Sequence, residues 1–145
     1  MLKKCGCGKL IPQGTARCPA CVSRHMVYNR RDRDAQAAAF YNSREWRIVR
    51  AQVLMRYACL DLYAFYVDNT VITADMVHHI EELRDCWDKR LDPSNLIPLN
   101  SQSHNKISAQ YNLGGKPKKD AQNLLRSLLT RYASEVREAN IAEGV

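Results

Sequence analysis

No stretch of this 145-residue chain approaches the roughly 18 apolar residues of a membrane-spanning helix. No short apolar region behind a basic start marks a secretory signal either. A soluble, intracellular protein with no membrane partner is the expectation. Internal repeats and long low-complexity tracts are also missing. Acidic side chains are in deficit: 15 Asp and Glu face 22 Lys and Arg, a net charge of +7. That balance favours an anionic partner, nucleic acid being the simplest. Histidine is scarce, with four in the chain. The six cysteines, without a secretory signal, read as metal ligands or thiols rather than disulfides. The length allows one domain, or a small domain with appendages. A core of about 70 residues is marginal without a metal or flanking helices.

Three of the four histidines fall between Ala74 and Asn112. Alternation over Met76-Val-His-His-Ile80 predicts a short strand, which sends neighbouring side chains to opposite faces. A strand end there lets one imidazole face a metal and the next a substrate. Asn95-Leu-Ile-Pro-Leu-Asn100 reads as a second strand, confined by Pro98 to an edge or an end. Ser101 or Ser103 caps a following helix near Ser103 to Tyr111. Strand, loop, strand and helix would bring His78, His79, Asn95 and His104 together. Phosphodiester hydrolysis needs a base to activate water and a cation to offset charge, and neutral imidazole suits both tasks. Asn95 can fix the tautomer of such a base through its far ring nitrogen.

His78-His79-Ile80, Asn95-Leu96 and His104-Asn-Lys106, in this order, resemble the HNH (His-Asn-His) endonuclease family of the ββα-metal fold. The segment Phe40-Tyr-Asn-Ser-Arg-Glu-Trp46, with Val53-Leu54, is similar to the helix that precedes the core in small phage-encoded members, and Asp92-Pro-Ser-Asn95 is similar to their approach to the central Asn. The resemblance implies His79 as general base, His78 and His104 as ligands of a divalent ion (Mg²⁺, Mn²⁺, Ni²⁺ or Zn²⁺), and Lys106 near the phosphate. Asn95 would orient His79 or brace the loop. The implied products carry a 5′-phosphate and a 3′-hydroxyl. A phage origin and a terminase partner are implied as well. Many relatives clamp the core with zinc through two Cys-x-x-Cys pairs. The matching positions here are Cys59, Leu62, Asn100 and Ser103, so that zinc is not expected. Packing by Leu62, Tyr63, Phe65 and Tyr66 is the expected replacement, with Cys59 a buried thiol.

Around the core, residues 1–25 hold Cys5, Cys7, Cys18 and Cys21 in knuckle-like turns, a signature of a zinc ribbon or treble clef with a structural zinc. His25 is an alternative to Cys5 or Cys7 as ligand. DNA docking or simple stapling are both open to this segment. Residues 26–58 read as supporting helices, Met26–Asn42 and Ser43–Ala58, the second opened by an Asn42–Glu45 capping box. Trp46, Val49, Val53 and Tyr57 should face the core. Arg44, Arg47, Arg50 and Arg56 fall largely on the other side, suited to the DNA backbone. Arg30, Arg31 and Arg33 are further candidates for phosphate. The core itself is expected over 59–112, with Leu60–Val67 a strand or short helix and Glu81–Leu91 a loop or short helix. Asn112–Lys119 reads as a linker, and Asp120 to about Asn140 as an amphipathic helix with Leu124, Leu125, Leu128, Leu129, Tyr132 and Val136 on one stripe. That stripe packs on the core, pairs with a second copy as a homodimer, or docks on a partner.

The expectation is thus an α+β protein: zinc ribbon, two supporting helices, a ββα-metal core and a C-terminal helix over 113–145. Its expected activity is metal-dependent cleavage of DNA. Two rivals make different predictions. A non-catalytic DNA-binding adaptor would bind DNA regardless of His79. A structural zinc on His78, His79, His104 and Cys86 would consume the base.

Overall fold

The two short apolar runs around the histidines do pair. In the computed structural model, which describes the backbone of residues 1–144 and the side chains outside 24–32, two units separate, Met1–Asn42 and Ser43–Val145. In the second unit, β3 (Met76–His79) runs antiparallel to β4 (Leu96–Leu99) with Met76 opposite Leu99 and His79 opposite Leu96. Both strands of a two-stranded ribbon have an open edge, which is why Pro98 is tolerated mid-strand opposite Val77. The connection holds two single 3₁₀ turns, Trp87–Lys89 and Pro93–Asn95.

Helices cover this ribbon. α2 (Arg44–Arg56) buries Trp46 and Val53, α3 (Leu62–Tyr66) buries Leu62 and Ala64, and α4 (Ser101–Leu113) buries Ser103, Ile107 and Tyr111. The predicted caps shift by one residue. Ser43, not Asn42, accepts from the Trp46 amide, and Asn100, not Ser101 or Ser103, accepts from the Gln102 amide. Tyr57 is buried and Val49 half-buried, so the α2 stripe faces inward as expected.

The expected linker is a corner. α4 runs to Leu113, the backbone reverses at Gly114 (φ 65°), and α5 spans Gly115–Ala142. Glycine and proline mark helix ends as well as linkers. Gly114 adopts a left-handed φ without a Cβ penalty, and Pro117 sits in the first turn of α5, where its missing N–H costs nothing. α5 buries Ala121, Leu125, Leu128 and Leu129 and packs on α3 and α4. Of the three fates open to this stripe, packing on its own core takes up most of it, although Leu124 and Val136 stay exposed.

The positions of the lost cysteine clamp are joined differently. Asp61, fully buried, accepts from the Ala64 amide through Oδ1 and from the Asn100 amide through Oδ2, both at 2.9 Å. One carboxylate thus ties the start of α3 to the β4–α4 junction. Leu62 contributes packing as expected, but Phe65 is exposed and Tyr63 and Tyr66 are half-buried. Cys59 is exposed rather than buried. Ala58 and Cys59 both adopt left-handed backbone, with φ of 52° and 54°, as the chain turns out of α2.

In the first unit, β1 (Leu2–Lys4) pairs antiparallel with β2 (Leu10–Pro12), and α1 (Pro19–Tyr41) follows. α1 begins well before Met26 and runs through position 25 without a break.

Candidate active site and metal centres

Strand alternation settles where the paired histidines point. The His78 ring lies edge-on to His104, with centroids 5.2 Å apart, and to Tyr111 at 5.1 Å. The His79 ring lies against Trp46, 5.0 Å between centroids and 26° from parallel. β3 ends at His79, so the two imidazoles diverge.

Burial holds His78 neutral, lowering its pKa to about 3, with the nearby His104 and His79 adding to the effect. Its Nε2 is buried and has no hydrogen-bond partner. A buried imidazole nitrogen left without a partner is costly unless something else fills its lone pair. A divalent cation shared with half-buried His104, on the first full turn of α4, fits that donor set.

His79 is held on two sides. Its Nε2 lies 2.9 Å from the Arg90 carbonyl, a contact that requires the nitrogen to donate. The lone pair then resides on Nδ1. Burial lowers the His79 pKa, and the Arg90 carbonyl partly opposes this. Arg90 itself is anchored by its own side chain, whose guanidinium lies 4.8 Å over the Trp87 ring and donates to the Trp87 carbonyl.

Asn95 braces the loop instead of touching the base. Its Oδ1 accepts from the Glu81 amide at 2.7 Å, and its Nδ2 donates to the carbonyls of Glu81 (3.0 Å) and Lys89 (3.3 Å). It closes both ends of the 81–89 segment, and thereby sets the turn that presents the Arg90 carbonyl. The Ile80 carbonyl receives the hydroxyl of Tyr111 at 2.6 Å and the amide of Gln122 at 3.1 Å. Glu81 and Glu82 are engaged in ion pairs, with Lys89 and Arg126 for Glu81 and with Lys118 and Arg84 for Glu82.

The basic candidates differ in disposition. Lys106 lies on the exposed side of α4 in an ion pair with Asp68 at 2.9 Å. Arg44 and Arg47 are exposed on α2. Arg50 is half-buried and donates to the Asp75 carbonyl at 2.8 Å, at the entry to β3. The side chains of Arg30, Arg31 and His25 lie outside the described residues.

In the first unit, the Sγ atoms of Cys5, Cys7, Cys18 and Cys21 all lie within 4.8 Å of one another. A tetrathiolate zinc, with Zn–S near 2.3 Å, needs sulfurs about 3.8 Å apart, so this donor set fits. The sequence builds it locally. Cys5 and Cys7 ride a turn closed by Gly8 N–H to Cys5 O and Cys5 N–H to Lys9 O, with Gly8 at φ 89°. Cys18 is the N-cap of α1 and Cys21 lies in its first turn. The Cys18 amide donates to Cys5 Sγ and, with other backbone donors, lowers the Cys5 pKa to about 6. The Lys9 amide lowers that of Cys7, whereas the crowd of neighbouring sulfurs, Cys7 foremost, pushes Cys21 up to about 12. Among the described residues this is the only cluster of three or more His, Cys, Asp or Glu donors. A four-ligand zinc on His78, His79, His104 and Cys86 is not assembled, because the His79 ring turns away to Trp46.

Trp46, Arg90 and Asp61 were not singled out as site residues by the sequence. Trp46 carried a core signal only, and a backbone carbonyl such as that of Arg90 carries none.

No helix among the described residues is long and apolar enough to cross a membrane. No family model matches the chain, and no curated protein does. Among solved structures, the HNH endonuclease of the deep-sea thermophilic bacteriophage GVE2, crystallised with manganese ion, matches with a TM-score of 0.55 and 36% identity. The match covers 61% of this chain and 96% of that one. With the β3–β4–α4 geometry, this places the chain in the HNH endonuclease family.

Proposed function

We propose that this protein is a metal-dependent endonuclease that hydrolyses phosphodiester bonds of DNA. The observation that carries the reading is the divergence of two adjacent imidazoles at the end of β3: His78 toward His104 with an unpartnered nitrogen, His79 toward Trp46 with its tautomer set by a carbonyl. His79 is the general base. Its depressed pKa keeps it neutral near pH 7, and Nδ1 takes the proton of the attacking water. The imidazolium that forms is stabilised by the Arg90 carbonyl and by the face of Trp46. Attack on phosphorus forms the new P–O bond as the bond to the 3′ oxygen breaks, and the released 3′ oxygen takes a proton from solvent. His78 and His104 would hold the divalent ion, which would offset charge on the phosphate and leaving oxygen. Asn95 keeps the 81–89 segment in place. Arg44, Arg47 and Arg50 offer contacts to the DNA backbone, and Lys106 does so once it exchanges Asp68 for a phosphate. The four cysteines hold a structural zinc. The GVE2 protein is phage-encoded and carries manganese, which supports a phage origin here and Mn²⁺ among the candidate ions. Work beside a DNA-packaging terminase belongs to the same reading, from the family resemblance.

The test is plasmid nicking by wild type and His79→Ala, each with Mg²⁺, Mn²⁺, Ni²⁺, Zn²⁺ or EDTA. Cleavage by wild type alone, lost with EDTA and restored by added ion, is the expected result. DNA binding without cleavage under any ion would replace this reading with the adaptor.

A further inference from the structure

The net charge is distributed very unevenly. Of 22 Lys and Arg and 15 Asp and Glu, eight and two precede Ser43, leaving 14 and 13 from Ser43 onward. The first unit therefore carries +6 and the second +1. Within the second unit, cations are heavily committed to local carboxylates: Arg84, Lys89, Lys106, Lys116, Lys118, Arg126 and Arg131 are all in ion pairs. The first unit cannot be balanced in this way. Its two carboxylates, Asp32 and Asp34, can neutralise at most two of its eight cations. Lys3, Lys4, Lys9 and Arg17 are all exposed, on β1, on the Cys5–Lys9 turn and just before Cys18.

From this asymmetry we infer that the four-cysteine unit is the DNA anchor of the molecule, supplying most of the affinity for the phosphate backbone without reading sequence. The inference rests on the nuclease reading for the identity of the polyanion. It goes beyond it by assigning binding and cleavage to different units. Affinity for duplex DNA follows the number of phosphates neutralised, and each released counterion steepens the salt dependence. In the second unit, half of the 14 cations are already paired with carboxylates and must exchange them before they can neutralise phosphate. A +6 module on the same chain holds the duplex and raises the local concentration of cleavable bonds. The β1–β2 ladder and the Cys5–Lys9 turn hold the backbone of three lysines, at little cost in backbone entropy on binding.

The experiment measures binding of the full chain to a 30-base-pair duplex over a salt series, without added divalent ion so that cleavage does not intervene. A Lys3→Gln, Lys4→Gln, Lys9→Gln triple variant is compared with a Lys116→Gln, Lys119→Gln, Arg137→Gln triple variant. Each removes three exposed charges, and matching circular dichroism verifies that both fold. The first is expected to flatten the slope of log K against log [salt] by about 3 and to weaken binding at least about tenfold near 0.1 M salt. The second is expected to change either quantity far less. Equal losses in both variants, or no loss in the first, would overturn the assignment. So would loss of binding to vesicles of anionic lipid with duplex binding unchanged. Failure of wild type to nick DNA with any ion would instead strike the nuclease reading, and leaves the binding comparison intact.

Discussion

His78 and His79 are chemically identical and adjacent, yet strand geometry gives them different environments. The His78 environment makes a prediction about pH. An unfolded histidine takes a proton near pH 6.5, whereas folded His78 resists until about 3. Between those values the unfolded state binds the extra proton, so stability falls as pH drops from about 6.5 toward 3. At pH 5 the difference is about 2 kcal/mol. Urea titrations of metal-free protein at pH 7 and pH 5 should show this loss, and His78→Leu should remove about that much of it. A loss unchanged in His78→Leu would mean that His78 titrates normally. The His79 environment makes a different prediction. Trp46→Leu removes the flat surface behind the base while keeping apolar bulk, and a base that has lost its orientation costs about ten- to a hundredfold in kcat. KM should stay unchanged, and Trp46→Phe should recover much of the rate. An equal loss in both variants, or a change in KM alone, would show that the stack does not position the base. The histidines and Asn95 were legible because the motif is written in side chains. The stack and the Arg90 carbonyl were not, because a tryptophan on an apolar stripe has the same sequence signature whether it meets leucine or imidazole.

Elements were legible where periodicity is strong and less so at their ends. The β3 strand and the α2 stripe follow from apolar spacing, β4 from a short apolar run, and α4 from a polar segment behind a capping side chain. Gly114, Gly115 and Pro117 form a helix–helix corner instead of a linker, because the same residues that make linkers also end and begin helices. The tie that Asp61 makes between the start of α3 and the β4–α4 junction was invisible, since a buried carboxylate is the exception for that residue type. Its energetic role can be measured. Asp61 accepts two amide hydrogens, one from Ala64 at the N-terminus of α3 and one from Asn100, 39 residues away from Asp61 in sequence. Asp61→Ala leaves the buried Ala64 amide and the part-buried Asn100 amide without an acceptor, at about 1–3 kcal/mol each where water does not reach them. A loss of about 3 kcal/mol in urea melts with unchanged m-value is expected. Asp61→Asn keeps one carbonyl acceptor and should lose less. If Asp61→Ala were neutral, apolar packing around Leu62 would be sufficient to hold the junction, as the sequence alone suggested.

At the scale of the whole molecule, the two units differ in what holds them. The second has a core of aliphatic and aromatic side chains from α2 to α5. Around its hairpin and helix start the first buries, among the described residues, only Cys5, Ile11 and Cys18, with Ala20 and Cys21 partly covered, while Phe40 is buried at the far end of α1. Three side chains cannot offset the entropy of ordering a hairpin and a helix start, so metal binding must supply the difference. The four sulfurs are placed for it, and backbone donors lower the pKa of Cys5 to about 6 and lower that of Cys7. One bound zinc per chain is therefore expected by atomic emission, and its loss in Cys18→Ser. Stripping the metal with a strong chelator should expose the amides of Cys5, Gly8 and Cys18 to rapid hydrogen exchange, because the turn bonds they make depend on the curl around the ion. The β3 and β4 amides are secured by their own ladder and by the core beneath it, so their exchange should hardly change. If the cysteine turns stayed protected without metal, hydrogen bonding among the thiols would be holding the unit, and zinc would be dispensable to its fold.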